Sequence, residues 1–186
     1  MGTRIETDSY YSNPLGYTRG LFAQTANSTP VTGTTTETTL IDGGVGSLSV
    51  PANGFKVGDS FMVEMGGHIS SVNTNTLNIR LKSGSVILCD TGAISMPNVT
   101  NKHFDLQVRF TIRALGAAGV AAIASYGVLT YSRNAGNIFE GSDFSVVNNT
   151  TFDTTISNTL DITAQFITNN AGNNIYSESF ILTKIY

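Results

Sequence analysis

Charge is scarce in this chain: charged residues make up 12% of it, against about a quarter in an ordinary soluble domain. Thr, Ser, Asn and Gly take their place, which leaves a polar surface carrying few ions. Two such faces can approach without stripping water from many charges, so packing against copies is inexpensive. Cysteine is scarcer still. The single Cys89 excludes an intrachain disulfide and fits folding in a reducing compartment. Its neighbours Val86, Ile87 and Leu88 mark it as a small core residue and not a reactive thiol. A surplus of positive charge is also missing. The formal net charge is −3 and the pI about 5.2, so specific nucleic-acid binding is not expected.

Long apolar runs are absent too. The most apolar stretch, Ala114 to Leu129, is interrupted by Gly116, Gly119, Ser125, Tyr126 and Gly127. It is too short and too rich in glycine for a membrane span, and glycine costs about 1 kcal/mol per position relative to alanine in a helix. Met1 to Arg19 is polar with no apolar centre, so no secretory leader is expected. No segment holds a helical period, no heptads announce a stalk, and no repeat recurs.

What is present is period two. Phe104, Leu106, Val108, Phe110 and Ile112 alternate with Asp105, Gln107, Arg109, Thr111 and Arg113. Successive strand side chains point to opposite faces, so this stretch has one face for a core and one for water. Similar alternation runs through Ser60–Met65, Thr76–Lys82 and Leu160–Phe166. Further strands are expected at Leu21–Ala26, Thr34–Ile41, Ser47–Val50, Ser85–Cys89, Val120–Tyr131 and Ile175–Tyr186. Ser85–Cys89 and Val120–Tyr131 read as covered on both faces. Turns fall at Asp42-Gly43-Gly44, Asn53-Gly54 and Gly66-Gly67. Asn134–Asp153 reads as a surface loop, the usual seat of interaction specificity. The 186 residues suit one domain, an all-β antiparallel sandwich of about eight strands. Residues 1–20 read as an extended N-terminal arm and 21–186 as the domain. Tyr10, Tyr11 and Tyr17 on the arm offer contact area to a neighbouring subunit, with a frayed terminus as the equal alternative.

His68 at a glycine turn and His103 at a strand start form no His-x-His pair and have no Glu partner at the short spacing of a cupin-type β-barrel site, so neither reads as a metal ligand. No Gly-x-Ser-x-Gly elbow occurs. Gly43-Gly44-Val45-Gly46 precedes a strand-like segment and not a helix, so it reads as a turn and not a phosphate loop. Glu140 and Asp143 share the long loop and read as solvated. Asn27, Asn98, Asn148 and Asn149 begin N-x-S/T triplets that would mark exposed loops. Arg80, Lys82, Arg109 and Arg113 lie on the polar faces of two strands. Were those strands in one sheet they would form a basic stripe for an acidic neighbour, with a solvated face as the plain alternative. No enzyme activity, cofactor or metal follows from these residues.

One resemblance adds to this. The run Ser47-Leu-Ser-Val-Pro-Ala-Asn-Gly-Phe-Lys-Val-Gly-Asp-Ser-Phe61 resembles a stretch of small viral jelly-roll proteins. So does Thr159-Leu-Asp-Ile-Thr-Ala-Gln-Phe166, with the closing Leu-Thr-Lys-Ile-Tyr. That group includes single jelly-roll vertex (penton) and minor capsid proteins of large double-stranded DNA viruses, and trimeric fibre heads of the TNF/C1q-like kind. The resemblance implies a single jelly roll, a structural role in the virion, assembly in the host cytoplasm, and no active-site residues. Its implied partners are copies of the chain and neighbouring capsid proteins. A homopentamer is favoured because only about twenty residues precede the first strand, too few for a shaft. The alternative is a trimeric fibre or spike head binding a host receptor or glycan.

Overall fold

A computed structural model describes residues 19–134 and 138–186. The expected arm, with Tyr10, Tyr11 and Tyr17, lies outside the described residues except for Arg19 and Gly20, which open the first strand. The fold is all-β, with no helix among the described residues. The strands are β1 (Arg19–Gln24), β2 (Val31–Thr32), β3 (Thr38–Thr39), β4 (Gly44–Gly46), β5 (Ser49–Val50), β6 (Ser60–Ser71) and β7 (Asn75–Ser83). They continue as β8 (Val86–Asp90), β9 (Ile94–Met96), β10 (Val99–Ala114), β11 (Ala122–Ser132), β12 (Phe139–Asn148), β13 (Asn158–Phe166) and β14 (Asn174–Lys184).

Two antiparallel sheets result. The large one runs β12-β11-β10-β6-β14-β1-β4, with β2 also on β14. The small one runs β3-β13-β7-β8, with β5 also on β13 and β9 on β7. The alternation on β10 holds: Phe104, Leu106, Val108, Phe110 and Ile112 are buried, while Asp105, Gln107, Arg109 and Arg113 face water. Phe61, Val63 and Met65 of β6 join them from the large sheet; Leu77, Ile79, Leu81, Ile162 and Phe166 answer from the small one. These side chains form one shared core. Fully burying each is worth about 1.5–3 kcal/mol.

Several local expectations need correction. Gly66-Gly67 is not a turn but the middle of β6, where a Cβ on Gly67 would meet the Tyr176 carbonyl oxygen at 2.1 Å. Glycine is required there by close strand approach and not by a bend. Gly44–Gly46 is an edge strand on β1, and Gly46 holds φ +105°, a conformation other residues rarely adopt. Thr34–Ile41 supplies only the two-residue β3, because its threonines bond to nearby backbone, as in Thr38 Oγ1 to the Thr36 carbonyl at 3.1 Å. Asn134–Asp153 is not one loop: it contains β12, paired along β11 from Ser132↔Phe139 to Ile123↔Asn148.

Neither strand expected to be covered on both faces is so. On β8, Ile87 is 39% exposed, and a register shift against β7 buries both Leu88 and Cys89. On β11, Tyr126 and Val128 face water. Cys89 itself is fully buried, and burial pushes its thiol up to about 12. A thiol-reactive aromatic disulfide is therefore expected to label the native protein only at the rate of unfolding; rapid native labelling would contradict the buried placement.

Candidate functional site on the large sheet

The outer face of the large sheet is open to solvent and carries two distinct features. The first is built by register. Antiparallel pairing sets His103 of β10 opposite His68 of β6, and Tyr176 of β14 opposite His68 on the other side. Residues directly opposite on one face are neighbours. The His68 and His103 rings stand 4.2 Å apart between centroids, and Tyr176 stacks on His68 at 5.7 Å. The next strand step on β14 is irregular. Ser177 pairs with Gly67 and Ser179 with Gly66, so Glu178 is one residue more than the ladder needs. This bulge turns Glu178 outward, and its Oε2 lies 3.2 Å from His68 Nδ1. Side-chain donor atoms of His68, His103 and Glu178 all lie within 4.8 Å of one another. The sequence joins the two histidines to no Glu partner, and the fold brings Glu178 to them in space.

The second feature is an apolar strip on the hairpin β11–β12. Tyr126 and Val128 of β11 and Phe139 and Val147 of β12 are 45–76% exposed. Register puts Val147 beside Ala124, Tyr126 beside Ser145 and Val128 beside Asp143. The strip follows from the same alternation that sends Ile123, Leu129 and Tyr131 inward. Arg109 adjoins it, donating from Nη1 to the Tyr126 hydroxyl oxygen at 3.1 Å. Arg113 borders the shallow depression formed by Ala124, Tyr126 and Val147. One long edge of β12 has no strand beside it in the large sheet.

The basic stripe does not form. Arg80 and Lys82 are on β7 of the small sheet, whereas Arg109 and Arg113 are on β10 of the large one. Arg80 and Lys82 are also engaged within the chain. Arg80 meets Asp90 at 2.8 Å and Glu37 at 3.3 Å, and Lys82 meets Glu37 at 3.0 Å. Burial pushes the Glu37 carboxyl up, but the Thr163 hydroxyl and the charges of Lys82 and Arg80 outweigh it and hold the group below its ordinary value. Glu140 and Asp143 point to opposite faces of β12, and Glu140 accepts from Arg133 at 2.9 Å, so they share no site. Asn148 is buried and not in an exposed loop.

An apolar gap of about 120 Å³ is bordered by Leu48, Phe55, Leu88, Phe152 and Leu160, and no titratable side chain lines it. No helix among the described residues is long and apolar enough to cross a membrane. Comparison with protein-family models, curated proteins and solved structures finds no match.

Proposed function

We propose that this chain is a virion structural protein: a single jelly-roll capsid subunit whose copies close side by side into a pentameric vertex capsomer. The strand order supports the jelly-roll reading. Counting β1, β3, β6, β7, β8, β10, β13 and β14 as the eight principal strands, the large sheet runs first, eighth, third, sixth. The small sheet runs second, seventh, fourth, fifth. That interleaving is the order a double Greek key jelly roll calls for, and on this reading the hairpin β11–β12 is appended to the sixth strand. The two stretches that carry the resemblance also meet: Ser49 and Val50 pair with Thr159 and Asn158.

The observation that carries the assembly reading is the apolar strip of Tyr126, Val128, Phe139 and Val147. Its apolar members are interrupted by Asp143 and bordered by Arg109 and Arg113, so covering it buries apolar area and leaves these charges to be met by partners on the next copy. Ring closure uses heterologous contacts, in which the strip of one copy meets a different surface of the next. Arg109 and Arg113 border the contact. In the virion the capsomer adjoins other capsid proteins.

Negative-stain imaging with native mass measurement tests this. Five-fold rings of five copies are expected at micromolar concentration. Three-fold particles would replace the vertex reading with the trimeric fibre or spike head, and a monomer would overturn assembly altogether.

A further inference from the structure

We propose that His68, His103 and Glu178 form a binding site for a divalent transition-metal ion of the zinc class. The inference is independent of capsid assembly and rests on four observations. The donor set comes first: two imidazole nitrogens and one carboxylate oxygen suit a borderline ion such as zinc, which takes three protein ligands and leaves a position for water.

The second observation is distance. Zinc–ligand bonds of about 2.0–2.1 Å put neighbouring ligand atoms of a tetrahedron about 3.3 Å apart. His68 Nδ1 and Glu178 Oε2 stand 3.2 Å apart. All three residues' donor atoms fall within 4.8 Å, and the His103 side chain is exposed.

The third is an unmet bonding need. His68 Nδ1 is shielded from solvent and makes no hydrogen bond, although the carboxylate oxygen is close by. The two atoms are near without the alignment that an N–H donated to oxygen requires. A cation seated between them would meet the bonding capacity of both. Buried polar atoms in proteins are rarely left without a partner.

The fourth is the bulge. Removing Glu178 on paper leaves Tyr176 outward, Ser177 inward, Ser179 outward and Phe180 inward, a regular alternation on an unbroken ladder. The extra residue is therefore not needed for strand pairing or core phase. Its consequence is to aim a carboxylate at two histidines. Bulges commonly re-aim a side chain beside a functional site. Tyr176 backs the His68 ring and limits its rotation.

Isothermal titration of the full chain with zinc chloride, paired with the visible spectrum of the cobalt(II) form, tests the site. One zinc per chain and the intense bands of tetrahedral cobalt are expected. His103→Ala, Glu178→Gln and deletion of Glu178 are each expected to weaken zinc binding by at least about 10–100-fold, a loss seen even for outer-shell partners. Their circular dichroism should remain that of the parent, because His103 and Glu178 are exposed and the deletion restores a regular ladder. No saturable zinc uptake by the parent would overturn the proposal. So would uptake that persists undiminished in folded His103→Ala and Glu178→Gln.

Discussion

Phe180→Ala is expected to lower the free energy of unfolding by about 3–5 kcal/mol. The ring is fully buried, faces Phe22 with centroids 5.8 Å apart, and stands on β14 between β6 and β1. A central strand flanked on both sides cannot shift to collapse the void, so the lost contacts add to the lost transfer energy. Chemical denaturation with an unchanged dependence on denaturant should give the loss directly. A change below about 1 kcal/mol would mean that the bulge at Glu178 does not set the phase described, and that Phe180 lies on the outer face.

The next largest effect is expected from a polar residue. Asn148→Ala should cost about 3 kcal/mol. Its Oδ1 accepts from the backbone N–H of Thr151 at 3.0 Å and of Phe152 at 3.1 Å, holding the turn after β12. Its Nδ2 donates to the Ile87 carbonyl at 2.8 Å, tying the edge of the large sheet to β8 of the small one. Alanine leaves a buried carbonyl and N–H groups near Phe152 unpaired, and such groups pay their full desolvation cost. Asn148→Asp keeps the acceptor but sets a charged oxygen against the Ile87 carbonyl, so its thermal stability should also fall below the parent. Equal stabilities for all three would show that Asn148 does not bridge the sheets.

The fold class was legible because a half-buried antiparallel strand writes its two faces into the sequence. The alternation from Phe104 to Ile112 needs nothing beyond side-chain geometry. Strand β12 was hidden by its composition. Gly141, Ser142 and Ser145 read as loop residues, and the inward Phe144 and Val146 are too few to show a period. Its strand character comes from pairing along β11, which a local pattern cannot express. Gly66-Gly67 misled for a related reason: glycine marks a turn and also a close approach of strands, and only the Tyr176 carbonyl beside Gly67 distinguishes them.

The histidine cluster was illegible for a different reason. His68, His103 and Glu178 lie on three strands, and two registers plus a bulge must be known before they meet. The one clue in the sequence is a broken phase on β14, where the inward Ile175 and Phe180 have opposite parity and so require an extra residue between them. The basic stripe failed by the same logic in reverse. Arg80 and Lys82 have the right parity for an outer face, but periodicity does not say which sheet owns that face.

The exposed hairpin strip is the feature on which the assembly reading depends, and sedimentation of the parent beside Val147→Asp and Phe139→Asp tests it most directly. A five-copy particle for the parent and folded monomers for both variants are expected, since each substitution removes an exposed apolar side chain and adds to Asp143 a second carboxylate that would have to be desolvated at each contact. A monomeric parent, or an oligomer indifferent to both substitutions, would contradict assembly through this face.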